Sequence, residues 1–546
     1  MLLVLLACTG PYRDGNSTDS VDTGGPIEIV EQPGLTRGGV LTCADPGMRE
    51  TSGPMFLPDL GADWASQKSD TSSAGAAVED FNGDGLLDIF LSDHDRCQLY
   101  ITQPDGTLTE ESAERLPADC AGMGAAPADI DADGDIDIFV TATSDPELLL
   151  INDGVGTFTD EATARGLTVE EADPSMGASW GDLDADGDLD LFIANHTFRG
   201  GTGPTPPDPA YANRLMRNDG DGSFSAISAT LPDSALLGYT FLGSWHDFNM
   251  DGHTDLYIIN DYGDQVYENR LLLGDGSGGL TDADPDNGLN LPIDAMGLGV
   301  GDFNGDGLPD AVVSDWGSMH LMLSLEAGIW YDSTLASGLT ATHSDTVIGW
   351  GVEFADPDND ADLDIIATFG PASVFESNTL DNPDNPDNPE IQPDGFWRND
   401  GGTLTDAAAD WGLDHTGNNR GLIVADLNGD GWLDTLRRGI KEGTSVIHHS
   451  RCGAEAWVTV RLEAAGENPA AIGARIVLEA GGDEQVRWIG SGSTGLSSGG
   501  PLMAHFGLND ATILDHLTVH WPDGTTNSFT NIETRQALVI NQADSE

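Results

Sequence analysis

The chain has 546 residues, and its 93 Asp and Glu against only 21 Lys and Arg give a formal charge of -72. This charge excludes nucleic acid as a partner, because contact with phosphate backbones requires a basic surface. Hydrophobic residues make up 39 % of the chain, enough for a buried core, and no apolar run approaches the roughly 20 residues that cross a bilayer. We therefore expect a folded monomer that is soluble or tethered at one end.

The first segment predicts export. Leu5-Leu-Ala-Cys8 resembles the lipobox of bacterial lipoproteins, in which the cysteine is lipidated, although no basic stretch precedes it. A chance apolar start is the alternative. We expect residues 1–8 to be the export signal and residues 9–50 to be a flexible tether, because the stretch after Cys8 is polar and small. The protein would then be secreted or an outer-membrane or cell-surface lipoprotein, with a lipid on Cys8 as its only membrane contact.

Five cysteines are present: Cys8, Cys43, Cys97, Cys120 and Cys452. If Cys8 carries a lipid, four remain, an even number that suits two disulfides in an oxidising compartment. Three pairings are possible. We favour Cys97 with Cys120, which are close in sequence, and Cys43 with Cys452, which flank the repeats described next. Buried free thiols are the alternative.

One nine-residue pattern, Asp-x-Asn/Asp-x-Asp-Gly-x-x-Asp, recurs through most of the chain. It begins at Asp80, Asp129, Asp182, Asp247, Asp302, Asp356 and Asp426, and we number these loops one to seven. Successive starts lie 49 to 70 residues apart, a period typical of propellers and other arrays. Short apolar runs such as Ile89-Phe-Leu91 bracket the loops and predict buried strands.

Two further signatures accompany the loops. A Gly stands five residues before six of the seven loops, and Leu242 takes that position before loop four. A small residue there would let neighbouring sheets approach closely. An aromatic residue or Leu precedes each loop by 21 to 26 residues, provided that Phe56 is counted for the first. We therefore predict that the segment around Phe56 completes the last sheet and closes a ring without an open edge.

These units resemble the FG-GAP/VCBS repeats of integrin-type β-propellers over residues 51–450. The resemblance implies an all-β fold with a seven-bladed propeller. It also implies calcium in the loops, and the residues agree with this. Alternate oxygen side chains in a tight turn converge on one point, and Gly at position six allows positive φ. Hard oxygen ligands in that number suit Ca²⁺.

The predicted ligands occupy positions one, three, five, seven and nine, where position seven contributes its backbone carbonyl and water fills the rest of the shell. They are Asp80, Asn82, Asp84, Leu86 and Asp88; Asp129, Asp131, Asp133, Asp135 and Asp137; Asp182, Asp184, Asp186, Asp188 and Asp190; Asp247, Asn249, Asp251, His253 and Asp255; Asp302, Asn304, Asp306, Leu308 and Asp310; Asp356, Asp358, Asp360, Asp362 and Asp364; Asp426, Asn428, Asp430, Trp432 and Asp434. Up to seven Ca²⁺ ions are expected. Loop six has Ala361 in place of Gly, which predicts a strained turn and doubtful occupancy. Acidic turns without metal are the alternative.

A second domain is predicted over residues 454–543. Alternating strands such as Trp457-Val-Thr-Val-Arg-Leu462 imply a small antiparallel β domain. The segments Ala471-Ile-Gly-Ala-Arg475, His505-Phe-Gly-Leu508 and Val519-His-Trp-Pro-Asp-Gly524 resemble the ASPIC/UnbV domain, which follows such repeats in proteins similar to cartilage acidic protein. The resemblance departs at Gly490–Gly500, a stretch rich in Ser and Gly.

No catalytic residue is predicted. Gly495-Leu-Ser-Ser-Gly499 matches the Gly-x-Ser-x-Gly pattern of serine hydrolases, but that motif requires a strand, a sharp turn and a helix in an α/β sheet. A flexible Gly/Ser loop is expected instead. The first hypothesis is a calcium-binding extracellular or cell-surface adhesion protein whose propeller loops engage protein or glycan. The alternative is a polysaccharide hydrolase or lyase at the central propeller face, which carboxylates, His and aromatics converging outside the loops would favour.

Overall fold

A computed structural model describes residues 35–37, 55–56, 75–93, 96–142, 146–167, 174–196, 211–339, 347–370, 392–439, 445–450, 453–492 and 496–542. These ranges are nearly all β, which confirms the predicted fold class. The helices are short: α1 (Ser112–Arg115), α2 (Asp233–Leu236), α3 (Ala408–Trp411) and a 3-10 turn at Ser228–Thr230. None of the described helices has the length and apolar character of a membrane span.

Two short strands, β1 (Leu35–Arg37) and β2 (Met55–Phe56), pair with strands much later in the chain and precede three four-stranded antiparallel sheets. Sheet 1 contains β3 (Ala76–Glu79), β4 (Asp88–Leu91), β5 (Gln98–Thr102) and β6 (Leu108–Glu110). Sheet 2 contains β7 (Ala125–Ala128), β8 (Asp137–Val140), β9 (Leu148–Asn152) and β10 (Phe158–Asp160). Sheet 3 contains β11 (Ser175–Gly181), β12 (Asp190–Asn195), β13 (Arg214–Asn218) and β14 (Phe224–Ala226).

Sheets 4 to 7 repeat this pattern. Sheet 4 contains β15 (Tyr239–His246), β16 (Asp255–Asp261), β17 (Arg270–Gly274) and β18 (Leu280–Asp282). Sheet 5 contains β19 (Leu298–Gly301), β20 (Asp310–Ser314), β21 (Met319–Glu326) and β22 (Ile329–Asp332). Sheet 6 contains β23 (Gly349–Ala355), β24 (Asp364–Phe369), β26 (Gly395–Asn399) and β27 (Leu404–Asp406), while β25 (Gln392–Pro393) pairs with β28 (Thr416–Gly417). Sheet 7 contains β29 (Asn419–Ala425), β30 (Asp434–Gly439), β31 (Val446–His448) and β2.

Close backbone contacts between neighbouring sheets explain the Gly that precedes most loops. A side-chain carbon on Gly75 of sheet 1 would lie 2.5 Å from the Met123 carbonyl oxygen, and one on Gly124 would lie 2.6 Å from the Met176 carbonyl oxygen. The same collision would occur at Gly177 and Gly297. Only Gly allows the first strands to approach this closely, as the sequence predicted.

The last sheet packs against the first. Strand β2 pairs with β31, placing Phe56 opposite Val446, which confirms the predicted role of this segment. Arg438 of β30 is buried and donates to the carbonyl oxygens of Gly75 at 3.1 Å and Ser92 at 2.9 Å. Apolar residues of both sheets share one core cluster. The arrangement is consistent with the predicted seven-bladed ring.

The C-terminal domain consists of two four-stranded sheets. Its strands are β32 (Trp457–Glu463), β33 (Arg475–Ala480), β34 (Asp483–Trp488), β35 (Met503–Gly507), β36 (Ile513–His520), β37 (Thr526–Glu533) and β38 (Gln536–Asn541). Two predictions need correction. Strand β1 lies within the predicted tether of residues 9–50 but pairs with β38, and β32 pairs with β38 in parallel, so the domain is not purely antiparallel. Both corrections arise from pairings between distant parts of the chain.

The Gly/Ser-rich stretch of this domain inserts between the first strands of the propeller sheets. Ser491 bridges to Trp180 and donates its hydroxyl hydrogen bond to the Pro127 carbonyl oxygen, and Gly499 pairs with Ala77. Leu496 is buried in a cluster with apolar residues of five sheets, namely Met123, Met176, Phe241, Met296, Ile348 and Trp350. Residues 491–492 and 496–499 are buried, which corrects the expectation of a flexible loop, and Ser497 is no exposed nucleophile.

One disulfide lies in the described part of the chain. Cys97 and Cys120 are bonded, with Cα atoms 5.3 Å apart, as predicted. Cys8, Cys43 and Cys452 lie outside the described residues, so the second pairing and the lipid on Cys8 remain predictions.

Candidate metal loops

Each nine-residue loop joins the first and second strands of its sheet. Position six has positive φ in every loop, including Ala361 of loop six at 78°, as the sequence predicted. Position four also has positive φ throughout, at Gly83, Ala132, Ala185, Met250, Gly305, Asn359 and Gly429. Sequence analysis missed this second reversal, although Gly occupies position four in three loops and was a signal for it.

The carboxylate at position one closes the loop on itself. Asp80 accepts backbone hydrogen bonds from Asp84 at 3.0 Å and from Gly85 at 2.7 Å. The position-six N–H binds position one in the other loops as well, at Asp129, Asp182, Asp247, Asp302, Asp356 and Asp426. These bonds fix the direction of the first predicted ligand.

The carboxylate at position nine anchors the loop to the third strand of its sheet. Asp137 accepts hydrogen bonds from the backbone of Asn152 at 2.8 Å and of Ile130 at 3.0 Å. Asp190 makes the same two kinds of contact in loop three. This anchoring role was missed, because the third strand is distant in sequence from the loop.

Side chains at position seven face away from the other predicted ligands. Asp362 accepts the backbone N–H of Gly401 at 2.9 Å, in the turn between the third and fourth strands. Asp135, Asp188 and His253 lie against Gly154, Gly220 and Gly276 in the corresponding turns. Position seven therefore offers a metal its backbone carbonyl rather than its side chain.

Carboxylate oxygens converge in three loops. In each trio the oxygens lie within 4.8 Å of one another: Asp182, Asp184 and Asp186; Asp356, Asp358 and Asp360; Asp129, Asp131 and Asp137. Asp133 of loop two does not belong to its trio. In loops one, four and five the Asn at position three donates to the Asp at position five, as from Asn82 to Asp84 at 3.1 Å. In loop seven, Asn428 instead contacts His449 at 3.3 Å.

The trios are electrostatically unfavourable without a cation. Burial, with a smaller contribution from neighbouring carboxylates, raises the pKa of Asp182 to about 6 and that of Asp190 to about 8. In loop six, burial holds the pKa of Asp356 well above its ordinary value, with added repulsion from Asp358 and Asp360. A bound cation would stabilise the ionised form of these groups.

The donor set fits Ca²⁺ most closely in loop three. One buried oxygen each of Asp182 and Asp184 has no hydrogen-bond partner among the described residues, and the set is all oxygen, as Ca²⁺ prefers. Arginines contact the other two trios. Arg165 lies 2.8 Å from Asp131 in loop two, and Arg398 lies 3.5 Å from Asp358 in loop six.

The C-terminal domain covers part of the loop face. Asn509 donates to the backbone oxygen of Asn359 in loop six at 2.8 Å, and His505 contacts the Gly431 carbonyl oxygen of loop seven at 3.1 Å. Arg461 forms an ion pair with buried Glu79, immediately before loop one, at 2.9 Å. Contacts with loops from both ends of the repeat array fix the domain on this face.

A second group of polar side chains lies at the opposite ends of the sheets. His196 contacts Asp261 at 3.2 Å, and His320 contacts Asp315 at 3.1 Å. Asp294 donates its backbone N–H to Asp315 at 3.0 Å. Burial, together with repulsion from Asp261 and Asp315, raises the pKa of Asp294 to about 6. Sequence analysis missed this group, because its members come from three sheets and share no motif.

The repeats and the last domain both match known families. Residues 80–140, 129–193, 247–313 and 302–367 match the family described as FG-GAP-like repeat, and residues 464–546 match ASPIC and UnbV. The fold and the loops define an all-β repeat protein, a propeller carrying a docked β domain. More particularly, the chain is a protein of FG-GAP-like repeats followed by an ASPIC and UnbV domain.

Several solved structures are similar to the chain at low identity. An Agrocybe aegerita lectin that recognises non-reducing terminal N-acetylglucosamine is 17 % identical, with 66 % of this chain and 88 % of that chain covered and a TM-score of 0.39. The lectin SapL1, solved with α-methyl fucoside, is 12 % identical, with 61 % and 95 % covered and a TM-score of 0.32. The rhamnogalacturonan lyase YesW is 15 % identical, with 70 % and 72 % covered and a TM-score of 0.34. No curated protein matches the chain.

Proposed function

We propose that this protein is a calcium-stabilised, exported binding protein that engages protein or glycan. The observation that carries the proposal is the convergence of three carboxylates within 4.8 Å in loop three, with two buried oxygens that lack a hydrogen-bond partner in the described structure. Asp182, Asp184 and Asp186 would hold the ion, together with the Asp188 carbonyl. Bound Ca²⁺ would neutralise these carboxylates and hold the loop in one conformation.

The position of the C-terminal domain supports a binding role over catalysis at the centre of the ring. Leu496 and Ser497 lie buried among the first strands, where a central active site would need open space. The backbone of this stretch pairs with Ala125 and Val78 through Ser497 and Gly499. Substrate entering from the loop face would have to displace a packed segment.

Export is supported by the disulfide between Cys97 and Cys120, because such bonds persist in oxidising compartments. Lipidation of Cys8 would place the protein on an outer membrane or cell surface, and its absence would leave it secreted. Radiolabelled fatty acid feeding of cells that express the wild type and Cys8→Ser separates these two outcomes. Incorporation into the wild type alone supports the lipoprotein.

A second candidate, a polysaccharide hydrolase or lyase, is favoured by the polar group opposite the loops. One buried oxygen of Asp294 has no hydrogen-bond partner among the described residues, and a carboxyl with a pKa of about 6 suits proton transfer. Trp316 beside this group is 49 % exposed and could contact a sugar chain. Loss of sugar release in Asp294→Asn, with unchanged melting, would establish the enzyme.

Native mass spectrometry during calcium titration tests the first candidate. We expect several ions to bind, at about 10⁻⁴ to 10⁻³ M as in other extracellular modules, and chelation to lower the melting temperature by several degrees. Mg²⁺ at equal concentration is the control, since it tolerates irregular oxygen sites poorly. Absence of bound Ca²⁺ at 10 mM would contradict the proposal.

A further inference from the structure

A cleft of about 410 Å³ lies between the propeller and the C-terminal domain. Loops three and four form one wall, through residues that include Asp251 and His253. The C-terminal domain forms the other wall, through Arg475, Trp488 and His520. Its volume lies in the lower part of the range of small-molecule pockets, which favour domain interfaces.

Three indole rings line this cleft, and two of them are fixed by hydrogen bonds. Trp245 donates its ring N–H to the Ser179 carbonyl oxygen at 3.2 Å, and Trp521 donates to the Asn527 side chain at 2.6 Å. Both rings are buried in the protein, while Trp488 is only partly buried. Because Trp245 and Trp521 are only 4 % and 3 % exposed, Trp488 is the ring that can offer a ligand an apolar face.

Polar groups occupy the same cleft. The Nε atom of Arg475 is buried and has no hydrogen-bond partner among the described residues. His253 and Asp251 are exposed at the propeller side, and His520 stands on the facing domain. That atom is closed to solvent, so the terminal nitrogens of the partly buried Arg475 side chain are the ones that could donate to a ligand oxygen.

We propose that this cleft binds a saccharide of one or two sugar units. A sugar ring has an apolar C–H face that packs against an indole, and hydroxyls around its edge that bond to groups such as Arg475, His253 and His520. The cleft is too small for a protein surface, and its polar groups disfavour an acyl chain. This inference rests on the proposed binding function and names its ligand class and site.

Isothermal titration calorimetry of the full chain in 10 mM Ca²⁺ tests this site. The probes are a panel of mono- and disaccharides, half neutral and half carrying a uronic acid. We expect at least one to bind, and Trp488→Ala to weaken its binding at least tenfold. Tyr331→Ala, an exposed aromatic on strand β22 outside the cleft, is the matched control and should bind normally, while Trp316→Ala tests the polar group of the second candidate. Arg475→Gln is the second variant, in case Trp488→Ala does not fold, and should also bind more weakly.

Two results would overturn the proposal that the cleft binds a saccharide. One is absence of heat with the whole panel, and the other is a ligand that Trp316→Ala alone releases. Calcium counting by native mass spectrometry on the same samples separates this failure from that of the proposed function. Binding of Ca²⁺ without any saccharide would contradict only the proposal for the cleft. Absence of bound Ca²⁺ would contradict the proposed calcium-stabilised function.

Discussion

Loops three and six have the same number of Asp residues but different surroundings. Asp186 of loop three is exposed to solvent, whereas Asp356 and Asn359 of loop six are 1 % and 0 % exposed. The C-terminal domain makes the difference, because Gly507 packs against Asp356 and Asn509 bonds to Asn359. A repeat that looks uniform in sequence therefore contains an open candidate metal site and a buried one at a domain interface.

The difference shows that charge compensation need not come from metal in every loop. Loop six has Arg398 at 3.5 Å from Asp358, and Arg487 acts on Asp356 by lowering its otherwise raised pKa. In loop three, Arg217 also lowers the otherwise raised pKa of Asp184, but among the described residues its ion pair is with Asp219 and no arginine lies within ion-pair distance of the trio. We infer that loop three depends on a cation more strongly than loop six does.

The largest expected effect is the loss of calcium-dependent stability, which should differ between variants of loops three and six. A site with a Kd of about 10⁻⁴ M contributes about 2.7 kcal/mol to stability at 10 mM Ca²⁺. We expect Asp186→Ala to lose most of this amount and Asp360→Ala to lose less than half of it. Denaturant unfolding with Ca²⁺ and with chelator measures both. Equal losses in the two variants would mean that both loops hold calcium alike.

Local features of the loops were predictable because they depend on residues close in sequence. The Asp spacing, the Gly at position six and the strain at Ala361 all follow from backbone conformation within nine residues. Strand β2 was also predictable, since Phe56 keeps the register of the other outer strands. Each of these signals is contained in one repeat or in the period between repeats.

Contacts between distant segments were not predictable. Nothing in Gly490–Gly500 indicates that Leu496 enters a cluster with five propeller sheets. The covering of loop six by Gly507 depends on docking of a whole domain, and the same holds for the pairing of β1 with β38. A periodic pattern identifies each repeat unit but does not specify which unit a second domain covers.

We expect an intermediate loss of stability at acid pH, arising where the C-terminal domain contacts loop seven. Burial, together with the charge of Arg487, lowers the pKa of His505 to about 4. A pKa below the ordinary 6.5 means that the folded state takes up fewer protons than the unfolded state. The free energy of unfolding is therefore unaffected by His505 above pH 6.5 and falls as the pH drops toward 4. Because His505 is only partly buried, we expect a loss of about 1–2 kcal/mol at pH 5.

Replacement of His505 tests this effect. His505→Gln keeps a donor for the Gly431 carbonyl oxygen but does not titrate, so its stability should change less between pH 7 and pH 5 than that of the wild type. Exposed His516 lies in the same domain, and His516→Gln is the control. If all three proteins respond alike to pH, acid acts elsewhere.

The smallest effect concerns position six, where the two loops differ by one methyl group. Gly187 has φ 99° and a side-chain carbon there would meet no atom within 4 Å, so Gly187→Ala adds backbone strain without a collision. Ala361 already carries that strain at φ 78°. We expect Gly187→Ala to destabilise by about 1 kcal/mol and Ala361→Gly to stabilise by up to about 1 kcal/mol, less the entropy that Gly adds to the unfolded chain. Both should be measured in chelator, so that backbone strain is separated from metal binding. Calcium titration of the same variants should then show tighter binding in Ala361→Gly only if strain, rather than the covering domain, limits loop six.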